Sequence, residues 1–224
     1  MSEKVLKVYR LGRIDYAKGL DLQKETEQAV IAGNAPNTLF LLEHPHTFTL
    51  GRSAKMQGVL ASPELLKTLG AQIYETNRGG KVTYHGIGQI VGYPVINLSP
   101  DREDIRKYVR DIEEVLIRAM LGFGIEAFRL EGLTGVHTRE GKIAAIGIHI
   151  KRWVTTHGFA LNVNTDLSFF DHIIACEGEP VTSMERLAGR EIDPAEVEDK
   201  IIENFCEVFE FKKPEKQERD VQTA

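Results

Sequence analysis

The chain contains little cysteine: two residues among 224, Cys176 and Cys206. Two cysteines cannot build the disulfide framework on which small secreted domains depend, so the count favours a reducing compartment and unbridged thiols. A basic surplus is also missing, because the formal net charge is −5 at pH 7. Proteins whose main partner is nucleic acid are usually basic, so this charge argues against that class.

Long apolar runs are absent as well. No stretch approaches the roughly 20 apolar residues that a membrane-spanning helix needs. The first four residues lead into alternating chain and not into the apolar core of a signal peptide. We therefore expect a soluble, cytoplasmic protein. The apolar content of 42% favours one globular domain, expected over residues 1–210, followed by a charged, flexible tail over residues 211–224.

Glycine, by contrast, is concentrated in residues 78–94, which hold five glycines. Glycine allows unusual dihedral angles and close approach of a ligand to the backbone, so the stretch predicts a binding loop. Gly86-x-Gly88 is not a dinucleotide fingerprint, because the third glycine comes one residue late and no helix follows. A glycine-rich hairpin without a ligand is the alternative, but it gives no reason for Arg78, Tyr84 and His85.

Helix and strand signals alternate along the chain. Capping residues and apolar spacing predict helices, and β-rich or alternating segments predict strands. The predicted helices start at Asp15, Ser62, Ser99 and Asp193, and the predicted strands cover residues 5–10, 38–42, 72–76, 93–98, 125–128, 135–138, 142–150 and 157–163.

His44 and His46 lie two residues apart after a predicted strand. On extended chain their side chains would point to the same side, which makes them a possible metal pair. A third ligand at a matching spacing is missing from the sequence. We therefore prefer polar groups that line a cleft, and expect no metal.

Two further residues, Lys142 and Cys176, are candidates for chemistry, whereas Cys206 is not. Lys142 begins an apolar run typical of a buried strand, where burial would disfavour its charged form. The alternative is a lysine at the end of a hairpin whose ammonium reaches solvent, and on its own Lys142 favours this. Cys176 lies in a predicted turn beside glycine and proline, where thiols are often exposed and reactive. Cys206 lies on the helix that starts at Asp193, as a small buried hydrophobe.

Several segments, in order, resemble the signatures of the lipoyl(octanoyl) transferases. They are residues 78–86, residues 142–147, residues 157–163, and Cys176 followed by Val181-Thr182-Ser183. Residues 43–45 and 50–52 resemble an earlier block of that family, so the resemblance covers roughly residues 10–185. The chain departs from the family pattern at Ile87, where proline is usual, and at Ala175-Cys176-Glu177, where Pro-Cys-Gly is usual.

The resemblance implies a fold and a mechanism. The fold would be α+β: a single domain with a mixed β-sheet flanked by helices, like the biotin and lipoate protein ligases. Cys176 would take the octanoyl group as a thioester, and Lys142 would activate the thiol and move protons. The residues implied to line the acyl site are Arg78, Gly79, Gly80, Lys81, Val82, Thr83, Tyr84, His85, Ala145, Ile146, Gly147, Gly158, Phe159 and Ala160.

The resemblance also implies partners. The donor would be octanoyl-acyl carrier protein, and the acceptors would be apo lipoyl domains of 2-oxoacid dehydrogenases and the glycine cleavage H protein. No cofactor, metal, nucleic acid or membrane would be required. Three alternatives stay open: an ATP-dependent lipoate ligase, an amidotransferase that moves octanoyl groups between lipoyl domains, and an acyl-binding module without catalysis.

Overall fold

Two β-sheets and their covering helices build the molecule, seen in a computed structural model that describes residues 5–174 and 179–212. The described strands are β1 (Leu6–Arg13), β2 (Asn37–Glu43), β3 (Thr47–Leu50), β4 (Gln72–Glu75), β5 (Val82–His85), β6 (Gln89–Val95), β7 (Val136–Thr138), β8 (Gly141–Lys151) and β9 (Val154–Asn162). The described helices are α1 (Tyr16–Ile31), α2 (Pro63–Thr68), α3 (Ile105–Leu121), α4 (Met184–Ala188) and α5 (Pro194–Phe209).

The larger sheet has six strands in the order β1-β2-β6-β9-β8-β7, and the smaller has three in the order β4-β3-β5. Strand β1 runs parallel to β2, and the other neighbours in the larger sheet are antiparallel. Strand β3 is parallel to β4 and antiparallel to β5. Both sheets are therefore mixed, and the expected α+β class with a mixed sheet and flanking helices is confirmed.

Helices α3 and α5 cover one face of the larger sheet. Their inward stripes are buried, with Ile112 and Leu116 on α3 and Ile201 and Phe205 on α5. The predicted cap of α5 is present, since the Asp193 side chain accepts a hydrogen bond from the backbone of Ala195. Cys206 is buried on this helix, as the sequence predicts.

Helix α1 forms where the sequence predicts it, but its buried face matches the apolar spacing only in part. That spacing predicts a buried face that includes Ala17 and Val30; Val30 is buried, whereas Ala17 is exposed. The buried side also carries polar and small residues: Gln23 accepts a 2.6 Å hydrogen bond from the backbone N–H of His157. A Cβ on Gly19 would lie 3.0 Å from the His44 ring. The face of α1 that covers the larger sheet is therefore partly polar, which apolar spacing does not reveal.

One predicted helix start and one predicted strand differ from the structure. Helix α3 starts at Ile105 and not near Ser99, because the Asp104 carboxylate caps it by accepting from the backbone N–H of Lys107. Residues 125–128 do not form a strand, since only Phe128 pairs, through two backbone hydrogen bonds with His137.

Across the part of the chain that the structure describes, no helix is long and apolar enough to span a bilayer.

Candidate active site

A cavity of about 310 Å³ lies where the smaller sheet meets the larger one, a volume typical of small-ligand pockets. On the larger sheet, Phe159 and Leu161 belong to the core under α3 and α5. Successive residues of a strand face opposite sides, so Ala160 and Asn162 point away from that core. Both of these residues line the cavity. The site therefore occupies the face of the larger sheet that α3 and α5 leave open.

The floor of the cavity is built from small residues on two adjacent strands. Ala145 pairs with Ala160, and Gly147 pairs with Gly158. Between these pairs, Ile146 and Phe159 pack in the opposite core and offer the cavity mainly backbone. A patch of alanine and glycine leaves room for a linear apolar group to lie directly on the sheet.

Lys142 reaches the cavity because β8 contains a bulge. Val136 pairs with Ala144, but the next residue of β7, His137, pairs with Lys142. One step along β7 thus matches two along β8, so Ile143 is the extra residue. Without the bulge, Lys142 would share the core-facing side of Ala144; with it, the lysine turns to the cavity side.

Lys142 is buried, with 9% of its surface exposed, so the structure supports the buried alternative over the solvent-reaching one. Its Nζ donates a 2.9 Å hydrogen bond to the carbonyl oxygen of Thr134. Its backbone N–H donates to the carbonyl of Pro180 at 2.8 Å, and its carbonyl accepts from Thr182 at 3.0 Å. Lys142 is thus fixed by a loop on one side and by residues 180–182 on the other.

Arg78 shapes the cavity wall with hydrogen bonds from a buried guanidinium. It donates to the backbone carbonyls of Thr49 at 2.7 Å, Gly79 at 3.0 Å and Lys81 at 2.9 Å. The same loop is fixed to β8 where Gly79 donates to Ile148 at 2.9 Å. Arg78 therefore holds its own loop in shape as one end wall of the cavity.

The structure brings most of the sequence-predicted site residues together. Tyr84 lies elsewhere: it is fully buried in the core of the smaller sheet, with its ring stacked on Phe169 at a centroid distance of 4.8 Å. Gly79 does not line the cavity either; its backbone N–H donates a hydrogen bond to the Ile148 carbonyl. The predicted residues that line the cavity are Arg78, Gly80, Lys81, Val82, Thr83, His85, Lys142, Ala145, Ile146, Gly147, Gly158, Phe159 and Ala160.

A chain of amide hydrogen bonds fixes His85 at the cavity. The Gln89 amide N–H donates to the carbonyl of Tyr84 and to Asn162 Oδ1, so its oxygen faces His85 Nδ1 at 2.9 Å. His85 must then carry its proton on Nδ1, which leaves Nε2 as an acceptor. Burial, together with the neighbouring His44, lowers the pKa of His85 to about 3. His85 is therefore a neutral imidazole at physiological pH.

His44 and His46 do not form a metal pair. His44 Nδ1 donates to the Ile14 carbonyl at 2.8 Å, and its Nε2 accepts from the Tyr93 hydroxyl at 2.7 Å. His46 Nδ1 bonds the Tyr84 hydroxyl at 2.8 Å. Within residues 5–174 and 179–212, no group of three potential ligands is suited to a metal. Neither histidine lines the cavity, so the expected polar cleft is formed by other residues.

Several residues that sequence reasoning missed line the cavity. They include Tyr16 and Tyr93, whose hydroxyls interact with each other; burial raises the pKa of Tyr16 to about 12. Burial likewise lowers the pKa of His157 to about 3. The cavity-lining residues that the sequence did not assign to the site are Tyr16, Ser53, Gln89, Tyr93, Gly132, Leu133, Thr134, Ile143, Ala144, His157, Asn162, Phe170, Glu179 and Val181.

Cys176, the candidate nucleophile, lies outside the described residues, as do its neighbours from 175 to 178. The described chain resumes at Glu179, which lines the cavity beside Lys142. Glu179 also contacts His137, with 3.4 Å between a carboxylate oxygen and Nε2.

Comparisons with known proteins agree with this geometry. The model of the lipoyl protein ligase A/B catalytic domain matches residues 15–206. An octanoyltransferase of Solibacter usitatus is 48% identical, with 90% of this chain and 92% of that protein covered. An octanoyltransferase of Rubrobacter xylanophilus is also 48% identical, with 91% and 94% covered.

Solved structures of low sequence identity share the fold. A lipoate protein ligase of Thermoplasma acidophilum superposes with a TM-score of 0.76 at 16% identity, over 97% of this chain and 88% of that one. A biotin protein ligase of Aquifex aeolicus gives a TM-score of 0.58 at 13% identity, over 91% and 70%. The expected likeness to biotin and lipoate protein ligases is confirmed.

Proposed function

The chain belongs to the lipoyl protein ligase A/B catalytic domain family, as an acyltransferase that moves octanoyl groups in protein lipoylation, and we propose that it works through a thioester on Cys176. In this proposal the donor is octanoyl-acyl carrier protein. The acceptor is the target lysine of an apo lipoyl domain, in a 2-oxoacid dehydrogenase or in the glycine cleavage H protein.

The observation that carries the proposal is the pairing of Lys142 with the chain that follows Cys176. The Lys142 backbone exchanges hydrogen bonds with Pro180 and Thr182, while its Nζ lies at the cavity. Glu179, which lines the cavity, follows Cys176 by three positions in the sequence, so we propose that Cys176 acts on a ligand held in this cavity.

The first half of the proposed reaction transfers the octanoyl group to the enzyme. Lys142 takes the proton of the Cys176 thiol, and the thiolate attacks the carbonyl carbon of the carrier thioester. A new carbon–sulfur bond forms, and the bond to the carrier sulfur breaks. The leaving carrier thiolate takes the proton back from Lys142. The octanoyl tail lies on the alanine and glycine floor of β8 and β9.

The second half discharges the thioester. The neutral amine of the acceptor lysine attacks the same carbonyl carbon, and Lys142 takes the proton that the nitrogen loses. The amide forms as the Cys176 thiolate leaves, and the proton on Lys142 restores the thiol. Each half exchanges one acyl bond for another, so the reaction needs neither ATP nor a metal.

Transfer without nucleotide is the test of this function. The enzyme is incubated with octanoyl carrier protein and an apo lipoyl domain, with and without ATP and magnesium, and the intact mass of each protein is measured. We expect one octanoyl group on the lipoyl domain in both conditions. Transfer that needs ATP and free octanoate would favour a ligase. Transfer from an octanoylated lipoyl domain but not from the carrier would favour an amidotransferase.

The cavity floor predicts an effect of Ala145→Leu. The larger side chain would stand beside Ala160 and fill the space for the acyl chain, whereas the fold should persist because Ala145 is only half-buried. We expect acylation of the enzyme by octanoyl carrier protein to fall at least about tenfold, with the acetyl thioester much less affected. Ala127→Leu, at a half-buried alanine outside the cavity, is the control. Equal losses with both donors would contradict the assignment of the acyl floor.

A further inference from the structure

Glu113 is a buried carboxylate on α3, a helix whose other inward residues are largely apolar. Only 5% of its side chain is exposed. A buried charge is costly unless hydrogen bonds and an opposite charge compensate it. The contacts of Glu113 therefore indicate what this carboxylate does.

The two oxygens of Glu113 have different partners. Oε1 accepts a 3.0 Å hydrogen bond from the backbone N–H of Gly135. Oε2 accepts a 3.1 Å hydrogen bond from Arg129 Nε, and Arg129 also binds the Arg110 carbonyl at 3.0 Å and Glu114 at 2.7 Å. The carboxylate thus ties the loop before β7 to helix α3.

The other side of this loop contacts Lys142. The Thr134 carbonyl, next to Gly135, accepts the 2.9 Å hydrogen bond from Lys142 Nζ. A Cβ added to Gly135 would lie 2.7 Å from Lys142 Cε and 2.6 Å from the Ala144 carbonyl oxygen. Lys142 and the loop are therefore in close contact, and a shift of the loop would move the ammonium.

We propose that Glu113 is a positioning residue for Lys142: by holding the Gly135 N–H, it places the Thr134 carbonyl that orients the lysine ammonium in the cavity. This inference rests on the proposed role of Lys142 in activating the thiol. Glu113 acts from outside the cavity, since it does not line the cavity wall. Its partner atom at the loop is a buried backbone N–H, for which water is no ready substitute.

The variants separate hydrogen bonding from charge and from general stability. Glu113→Ala removes both contacts, and Glu113→Asp withdraws the carboxylate from Gly135 while keeping it near Arg129. Glu113→Gln retains one carbonyl oxygen as an acceptor for the Gly135 N–H. It loses the ion pair with Arg129, but Arg129 is partly exposed and can bind water instead. Glu114→Ala is the matched control, since Glu114 binds the same Arg129 one residue along α3 without contacting the loop.

The readout is the pH profile of Cys176 alkylation by iodoacetamide, followed by peptide mass, together with the octanoyl transfer rate. We expect Glu113→Ala and Glu113→Asp to move the alkylation profile to higher pH, which is also the direction expected for Lys142→Ala. We also expect them to lower transfer by about tenfold to a hundredfold. Glu113→Gln should stay near wild type, and Glu114→Ala should change neither measurement. In a Lys142→Ala background, Glu113→Ala should add no further loss.

Three results would overturn the inference. Losses of equal size with and without Lys142 would show a structural role only, and unchanged profiles in both Glu113→Ala and Glu113→Asp would show that the loop does not orient the lysine. A Lys142→Ala protein with a normal alkylation profile would instead remove the proposed lysine role itself, and this inference with it. The melting temperatures of all variants identify any that fail to fold. If Glu113→Ala fails to fold, the comparison of Glu113→Asp with Glu113→Gln still tests the inference.

Discussion

Cys176→Ala is expected to abolish octanoyl transfer, whereas Cys206→Ala should leave it near the wild-type rate. The nucleophile of a two-step acyl transfer cannot be replaced by a methyl group, because no covalent intermediate can form. Cys206 is buried on helix α5, 4% exposed and packed in the core under the larger sheet. A loss of stability, and not of chemistry, is the expected effect of its replacement.

The experiment follows the intermediate directly. Enzyme is mixed with octanoyl carrier protein and no acceptor, and the wild type should gain one octanoyl mass at Cys176 that hydroxylamine removes. Addition of an apo lipoyl domain should then discharge the adduct onto that domain. Cys206→Ala should repeat both steps. If Cys176→Ala protein transferred octanoyl at a normal rate, the thioester mechanism would be wrong, and direct transfer between the two substrates would replace it.

Local sequence signals predict most of the fold for a physical reason. Helix α3 and helix α5 carry broad apolar stripes and capping residues, and both form with those stripes buried. The predicted start of α3 is wrong because Ser99-Pro100-Asp101 has the composition of a cap, while Asp104 makes the capping bond. Composition shows that a helix begins nearby, and the contact that selects the starting residue depends on the folded chain.

The candidate site is less predictable from sequence, because tertiary contacts decide which way its side chains point. The bulge that turns Lys142 to the cavity depends on how β8 pairs with β7, and no local pattern shows it. Tyr84 lies inside a motif of site residues, yet its ring packs against Phe169 in another core. In the sequence, Glu113 is one acid on an amphipathic helix, and its contact with the loop is made to Gly135, 22 residues away.

The polar chains around the cavity illustrate the same limit. Gln89 on β6 and Asn162 on β9 are 73 residues apart in sequence, and their side chains meet at 2.9 Å. Together they fix the orientation of His85. The glycine-rich segment contains both His85 and Gln89, but the residue that orients the Gln89 amide, Asn162, comes from a distant strand.

The proposed proton-transfer role of Lys142 can be tested by removing its ammonium group. Lys142→Met keeps most of the side-chain volume and removes the ammonium, and with it the 2.9 Å hydrogen bond to Thr134. If Lys142 moves the protons, octanoyl transfer should fall on the order of a hundredfold or more. The stability loss should be about 1 kcal/mol, the usual value of one hydrogen bond.

The matched control is Lys151→Met, at the opposite end of β8, where the lysine side chain is 57% exposed and 4.0 Å from Glu27. It should change neither rate nor melting temperature, because exposed ion pairs contribute little. Single-turnover kinetics should show both half-reactions slowed in Lys142→Met, since the proposed lysine takes a proton in each. A normal rate of thioester formation with slow discharge would confine the lysine to the second half. Near-normal rates in both half-reactions would show that Lys142 holds the loop in place and takes no part in proton transfer.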